Sequence, residues 1–286
     1  MGIGDFLGSL FGGAGRVDLW RRFERMREST SGTMSTFYKV RDLKTGDVLG
    51  LKVVDAAKAA PVENRYKSLN KPTEGEIGRQ ISGLNIVQIK EWGTATTGDP
   101  FIVQEFVDGS LLHTLITSKR EFSPAEKVDL VRQAATALAA VHDAGFVHRD
   151  ICPRNFILRP DGRLILIDFG LTVPDRPAFL QPGNRVGTPN YMAPEVVRRR
   201  QADKRLDIFS FGITAYEICT GRSPWPKGST GKAAMAHDTQ PDDIRTAWPG
   251  IPEPLAAAIM GCLAADPDRR PESMARFLGA IATVKA

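Results

Sequence analysis

Two short segments of the chain carry side chains suited to moving a proton and holding a metal ion. Residues 148–155 read His-Arg-Asp-Ile-Cys-Pro-Arg-Asn, and residues 168–170 read Asp-Phe-Gly. The Asp150 carboxylate can accept the proton of a hydroxyl group, while Asn155 and Asp168 supply oxygen atoms of the kind that Mg²⁺ prefers. One carboxylate for the proton, followed by an amide and a second carboxylate for the metal, is the set of groups that phosphoryl transfer from ATP requires.

The residues upstream of these segments predict a β-rich region. Residues 34–54 predict a strand, a turn and a second strand, with Gly46 in the hairpin loop. Another strand pair is expected at 86–92 and 100–107, on either side of a Thr-Gly-Asp-Pro turn. These four strands would form most of a first lobe.

One helix is expected between the two strand pairs. Ile77, Ile81 and Leu84 recur there at helical spacing. Three glycines interrupt the same stretch and lower its intrinsic helix preference. We therefore expect this helix to be mobile.

The downstream half of the chain predicts helices. A capping serine, a proline at the first helical position and a glutamate three residues after the cap mark a helix start at 123–126. Further helices are expected at 207–220 and 252–264. The predicted fold class is α+β, with a β-rich first lobe at about 16–106 that contains one helix and a larger α-helical second lobe at about 107–284.

Bulk composition excludes several classes of protein. The 286 residues are 42% hydrophobic and 25% charged, as in soluble globular proteins, and no apolar run is long enough to span a membrane. The net charge of +5 comes without the aromatic pattern of a nucleic-acid-binding domain, so no nucleic-acid partner is expected. Three widely spaced cysteines fit a reducing compartment and predict a cytoplasmic protein. Residues 1–15 are expected to form a flexible tail, or else a weak helix that contacts a membrane or a partner.

From about residue 20 to residue 284, the motifs resemble those of the eukaryotic-type protein kinase family, in its serine/threonine branch. The resemblance implies a two-lobed protein-kinase fold in which Asp150 accepts the substrate's hydroxyl proton and Asn155 and Asp168 hold Mg²⁺. It also implies that Lys52, in the strand Leu-Gly-Leu-Lys, contacts the ATP phosphates and pairs with a helix glutamate. Glu74 and Glu76 both qualify by position; Glu74 shares the inward face of Ile77 and is favoured.

The same resemblance implies a nucleotide site that departs from the family pattern. Of three glycines expected in the phosphate loop, only Gly32 is present, so the backbone has less freedom to close over phosphates and weaker ATP affinity is expected. Phe37 replaces the usual valine, and Gly50 replaces the usual alanine opposite, where it would make room for the ring. The resemblance further implies that backbone groups of Glu105 and Val107 bond the adenine. It also places Ile157 in the nucleotide site.

The catalytic and activation segments depart from the pattern as well. Cys152 stands where serine/threonine kinases carry lysine. Arg154, two residues later, is expected to supply the missing positive charge and to be a third catalytic residue beside Asp150 and Lys52. Thr188 is expected to reach Asp150. Between Thr172 and Thr188 there is no serine, threonine or tyrosine, and Asn184 occupies the usual phosphoacceptor position. Activity is therefore expected without activation-loop phosphorylation.

Other matches imply structural roles. Asp207 resembles the helix aspartate that holds the catalytic-loop backbone, and Glu195 with Arg270 resembles the family's buried ion pair. The resemblance as a whole predicts an ATP-dependent protein serine/threonine kinase with ATP and Mg²⁺ as cofactors and a protein substrate. The alternative is a kinase-fold binding or scaffold module with negligible catalysis. The sequence predicts neither the substrate nor the oligomeric state.

Overall fold

The computed structural model describes residues 16–26, 30–225 and 235–285. The tail or membrane-contacting helix expected at residues 1–15 lies outside the described residues. Within the described ranges, no helix is both long and apolar enough to cross a bilayer.

The chain divides into two compact units. Unit 1 comprises residues up to 80 together with 87–107, and unit 2 comprises 81–86 together with the residues from 108 onward. Unit 1 holds most of the β structure and unit 2 most of the helices. The chain is therefore an α+β protein, as the sequence predicted.

In the described part of unit 1, six strands form one antiparallel sheet in the order β1-β3-β4-β6-β5, with β2 paired to β3. The strands are β1 (Phe23–Arg25), β2 (Thr30–Ser31), β3 (Ser35–Asp42), β4 (Val48–Val54), β5 (Ile89–Thr94) and β6 (Pro100–Glu105). One face packs around buried side chains from these strands and the preceding helical turn, among them Phe23, Val40, Leu51 and Val103.

Both predicted strand pairs are present. In the β3–β4 hairpin, Gly46 adopts a φ of 80°, a left-handed conformation that glycine reaches without a steric penalty. The second pair begins at Ile89 rather than at Ile86. Ile86 instead forms an isolated parallel bridge with Leu166 in unit 2, so the apolar residues Ile86 and Val87 precede the strand.

The expectation of one helix in the first lobe is wrong. Besides the predicted helix, unit 1 contains α1 (Leu19–Arg22) and α2 (Ala56–Glu63), followed by a 3₁₀ segment at Asn64–Leu69. Helix α2 begins at an Asp55 cap, whose side chain accepts a hydrogen bond from Lys58 N at 3.1 Å. None of its residues is buried. It therefore has no apolar stripe for a periodicity argument to detect.

The predicted helix is shorter than its apolar spacing suggested. Helix α3 is Glu74–Gln80, so Ile77 lies in it while Ile81 and Leu84 lie beyond its end, and Leu84 is exposed. Gly75 serves packing, because a Cβ at this position would overlap the Trp92 side chain on β5. The helix can approach the sheet closely only without that side chain.

Unit 2 is mainly helical, and its predicted helix start is confirmed. The Ser123 side chain accepts from Glu126 N at 3.2 Å, and Ser123 N donates to the Glu126 carboxylate at 2.8 Å, which completes a capping box. The helices are α4 (Leu112–Thr117), α5 (Pro124–Asp143), α6 (Pro194–Val197), α7 (Arg205–Thr220), α8 (Ile244–Ala247), α9 (Glu253–Cys262) and α10 (Met274–Ala280). Helix α7 is buried from Leu206 to Cys219 and forms the centre of the unit.

Two small antiparallel sheets in unit 2 flank the sequence segments that carry the chemistry. One contains β7 (Ser110–Leu111), β9 (Phe156–Leu158) and β10 (Leu164–Leu166), and the other contains β8 (Phe146–Val147) and β11 (Val173–Pro174). Asn155 directly precedes β9, and Asp168 follows β10 by two residues. The pairing of β9 with β10 therefore brings the two segments together.

A close contact links the third and fourth strands of unit 1. A Cβ atom built on Gly50 would lie 2.6 Å from Cζ of Phe37 and 3.2 Å from the Gln104 side chain. Because carbon atoms do not approach this closely without strain, the Phe37 ring occupies the space that an alanine at position 50 would fill. The expectation that Gly50 makes room for Phe37 is confirmed.

A buried ion pair in unit 2 joins the start of α6 to the segment before α10. The Arg270 guanidinium donates to the two Glu195 carboxylate oxygens at 2.7 and 2.8 Å, in a bidentate arrangement. The Arg270 side chain is fully buried, and it also donates to the carbonyls of Ala264 and Arg205. The predicted pair is therefore present, and its remaining donors are used.

Replacing Arg270 by methionine should leave the Glu195 carboxylate buried without its partner. We expect the free energy of unfolding to fall by about 3–5 kcal/mol, measured by urea denaturation. The matched control is Arg245→Met, which removes an exposed bidentate arginine from Glu253 and should change stability little. Equal losses in the two variants would contradict a special role for the buried pair.

Gly50→Ala should destabilise the protein by about 1–3 kcal/mol, because the added methyl group overlaps the Phe37 ring. Phe37→Val removes that ring, so the double variant should be more stable than Gly50→Ala alone. Chemical denaturation of the wild type, both single variants and the double variant measures the coupling. Simple additivity of the two single effects would refute the steric explanation.

Candidate active site

The loop containing residues 148–155 is fixed by a buried carboxylate on α7. Asp207 accepts hydrogen bonds from the backbone amides of His148 and Arg149, each at 2.7 Å, and lies 3.0 Å from Nε2 of His142. Arg149 has a φ of 72°, an uncommon left-handed conformation for a residue other than glycine. The predicted role of Asp207 in holding this loop is thus confirmed.

Both oxygens of the Asp150 carboxylate accept hydrogen bonds. Oδ1 accepts from the backbone amide of Thr188 at 2.8 Å, and Oδ2 accepts from Nδ2 of Asn155 at 3.1 Å. Asp150 is half-buried, so the carboxylate is oriented by the protein while it keeps access to solvent. The expected contact with Thr188 is made, and it is made by the backbone.

Asn155 and Asp168 lie in neighbouring segments, since Ile167 N donates to Asn155 O at 3.0 Å. The side-chain nitrogen Nδ2 of Asn155 donates to both O and Oδ2 of Asp150. The side-chain oxygen Oδ1 of Asn155 therefore points away from Asp150, where it can bind a cation. One oxygen of Asp168 accepts from Gly170 N at 2.8 Å. An amide oxygen and a carboxylate are hard oxygen donors that fit Mg²⁺. Among the described residues, no group of three or more His, Cys, Asp and Glu side chains could hold a metal ion.

In unit 1, Lys52 pairs with a glutamate on α3. Its Nζ lies 2.6 Å from Oε1 of Glu74, and the two side chains are 10% and 17% exposed. Glu76, the alternative partner by position, accepts instead from the amide and hydroxyl of Thr73 at the start of the helix. Lys52 lies opposite Phe37 in the β3–β4 register, so the ammonium group and the aromatic ring share one face of the sheet.

The other predicted nucleotide residues are distributed over both units. Gly32 lies in the β2–β3 turn, where its amide donates to Ser35 O at 2.8 Å. Glu105 ends β6, and its amide and carboxylate both bond the backbone of Gln88, so its carbonyl is the group that the implied adenine contact would use. Val107 is buried at the end of unit 1, whereas Ile157 is half-buried on β9 in unit 2.

The cysteine in the catalytic loop faces inward. Cys152 is 1% exposed, and its Sγ lies 3.7 Å from Oγ1 of Thr188. Burial, with a further contribution from Asp150, raises the pKa of the thiol to about 12, so it stays neutral. Arg154 is exposed two residues later. The positive charge of this loop is therefore presented by Arg154 and not by residue 152.

The activation segment is anchored by apolar side chains. Phe179 and Leu180, at and after the 3₁₀ turn Pro177–Phe179, are 3% and 6% exposed. They line a small cavity together with Arg149 and Asn184, the residue at the expected phosphoacceptor position. Thr172, the hydroxyl-bearing residue that precedes this part of the segment, is fully buried.

Some contacts at the site have no signal in the sequence. His142 approaches Asp207 from α5. His237 binds the carbonyl of Met192, 45 positions earlier in the sequence. A shared apolar face predicts neither contact, because each depends on where a single polar atom points.

Comparison with known proteins agrees with these features. The family model for the protein kinase domain matches residues 23–278. A probable serine/threonine-protein kinase, pknA2 of Bifidobacterium longum, is 30% identical over 252 residues, which cover 87% of this chain and 33% of that protein. The serine/threonine-protein kinase PknB of Mycobacterium leprae is 29% identical over 256 residues, covering 86% of this chain and 40% of the relative. For pkn3 of Myxococcus xanthus, also a serine/threonine-protein kinase, the identity is 28% over 258 residues, covering 86% and 47%.

This chain thus spans between a third and a half of the length of these relatives. The family match covers nearly all of the described residues, including 148–155 and 168–170. The chain belongs to the protein kinase family.

Proposed function

We propose that the chain is an active protein serine/threonine kinase that transfers the γ-phosphoryl group of Mg-ATP to a hydroxyl of a protein substrate. The observation that carries this proposal is the Asp150 carboxylate, held by Thr188 N on one oxygen and Asn155 Nδ2 on the other. A base fixed in this way needs no reorientation when a hydroxyl group arrives.

We place the protein in the cytoplasm, because its three cysteines are buried free thiols.

Each remaining group has a proposed role that its contacts support. Mg-ATP, when bound, supplies the phosphoryl group together with the metal charge that stabilises its transfer. Asn155 and Asp168 would hold the metal, and Lys52, kept in place by Glu74, would bind phosphate oxygens. Arg154 would offset negative charge near the transferred group. The backbone of Glu105 would orient the adenine.

The proposed acceptor is serine or threonine. Residues 187–195 read Gly-Thr-Pro-Asn-Tyr-Met-Ala-Pro-Glu, the form of this segment that serine/threonine kinases carry, and the relatives named above are serine/threonine-protein kinases. The hydrogen bond from Thr188 N to Asp150 joins this segment, the proposed substrate segment, directly to the proposed base.

A second candidate function is a kinase-fold binding module with negligible catalysis. The observation that favours it is Cys152, a neutral and buried thiol at the position where a lysine is usual. A thiol cannot neutralise a transferring phosphate. Against this candidate stand the paired Lys52 and the oriented Asp150 carboxylate, which a binding module would not need.

The activity is tested by transfer of radiolabelled phosphate from Mg-ATP to a generic protein substrate. We expect incorporation on serine or threonine, detected by phosphoamino-acid analysis. Asp150→Asn should reduce it by about 10²- to 10⁴-fold, because the proton acceptor is lost. Asp168→Asn, which removes a metal ligand, serves as the inactive control. Absence of transfer by the unmutated protein with both Mg²⁺ and Mn²⁺ would favour the binding module.

Activity should not depend on phosphorylation of the activation segment. The segment is anchored by Phe179 and Leu180, and it has no hydroxyl between Thr172 and Thr188. Protein treated with phosphatase, with the phosphatase then removed, should keep its transfer rate. An activating phosphate on Thr172 or Thr188, found by phosphopeptide mapping, would contradict this expectation.

A further inference from the structure

The segment from Thr188 to Ala193 is held at two consecutive carbonyls by side chains from two different elements. Tyr191 O accepts from the Ser210 hydroxyl on α7 at 2.7 Å. Met192 O lies 2.7 Å from Nδ1 of His237, in the 3₁₀ turn Ala236–Asp238. A carbonyl oxygen can only accept, so His237 donates through Nδ1.

His237 has a well-defined environment. It is 2% exposed, and its ring centroid lies 4.7 Å from that of Trp225 and 5.4 Å from that of Phe209. Trp225 donates through Nε1 to Thr239 O at 3.2 Å, which closes the turn behind the histidine. The three rings form one aromatic cluster, in which the centroids of Phe209 and Trp225 lie 5.7 Å apart, and this packing restricts the direction in which Nδ1 points.

The other end of the same segment is bound to the proposed base. Thr188 N donates to Asp150 Oδ1 at 2.8 Å, and Tyr191 N donates back to Thr188 O at 2.9 Å. The five residues from Thr188 to Met192 thus run between Asp150 at one end and His237 at the other. Met192 is buried, so loss of the histidine donor would leave its carbonyl without that partner in a poorly hydrated environment.

We propose that His237 is a positioning residue for the protein substrate. It fixes the backbone path of residues 188–192 relative to Asp150, and so sets where a bound peptide places its hydroxyl. It contacts neither the reacting atoms nor the residues assigned to ATP. This inference rests on the proposed kinase function. It predicts that loss of the His237 donor changes the KM for a peptide substrate and leaves the KM for ATP unchanged.

The test compares His237→Phe, which keeps a ring but has no donor, with His237→Asn, whose amide nitrogen can take the place of Nδ1. We expect His237→Phe to raise the KM for a peptide substrate about tenfold while the KM for ATP stays unchanged. His237→Asn should remain close to the wild type. His113→Phe, the same substitution on α4, is the matched control. A parallel rise in both KM values, or no change in either, would overturn the proposal.

A second measurement does not require catalysis. Exchange of the backbone amide hydrogens of residues 188–193 should be faster in His237→Phe than in the wild type and unchanged in His237→Asn. If the unmutated protein transfers no phosphate, the proposed function fails. If hydrogen exchange of residues 188–193 in His237→Phe is as slow as in the wild type, the positioning role is refuted, whether or not the protein is catalytically active. His237→Leu provides a second variant without a donor should the phenylalanine variant not fold, as judged by thermal unfolding.

Discussion

A strained turn in the catalytic loop is stabilised by one buried carboxylate. Arg149 adopts a left-handed backbone conformation, which costs on the order of 1–3 kcal/mol for a residue with a side chain. Asp207, wholly buried, offsets that cost by accepting from two consecutive amides of the turn and by its contact with His142. The orientation of Asp150, the next residue, follows from this turn. The central helix of unit 2 therefore determines where the proposed base lies.

The contacts spread outward from that turn in a definite order. Gly187 passes directly over it, and a Cβ there would lie 2.5 Å from Arg149 O, so only glycine allows the substrate segment this close to the loop. Thr188 then donates to Asp150, and its hydroxyl meets the Cys152 thiol. The usual charged side chain at residue 152 is thus replaced by an uncharged contact that faces the protein interior. The loop keeps its shape through the hydrogen bonds that the Asp207 and Asp150 carboxylates accept, Cys152 adds an uncharged contact, and Arg154 presents a positive charge at the surface.

The sequence predicted those parts of the fold that have local signals. The hairpin of β3 and β4 has a glycine turn between alternating strands, and α5 has a capping box before an apolar stripe. Helix α2 escaped prediction because none of its residues is buried, and Pro61 lies inside it. Leu84 matched a helical spacing by chance, since the chain leaves α3 at Gln80.

The candidate site was predictable only as far as the family motifs extend. They placed Asp150, Asn155 and Asp168, each within a recognisable segment, and they left Glu74 and Glu76 as alternatives for the partner of Lys52. The choice depends on the direction of two neighbouring side chains at the start of α3, where Thr73 captures Glu76. The inward-facing position of Cys152 was likewise beyond prediction, because a single thiol has no periodic pattern.

The packing of Phe37 against Gly50 also bears on how such a chain could have diverged from kinases with valine and alanine at these positions. A change to phenylalanine alone would place its ring against the alanine methyl group, whereas a change of alanine to glycine alone costs only about 0.5–1 kcal/mol of strand stability. The accessible mutational order is glycine first and phenylalanine second. Once both are present, alanine at position 50 is disfavoured unless Phe37 is replaced first, so each of the two positions limits the substitutions that the other tolerates.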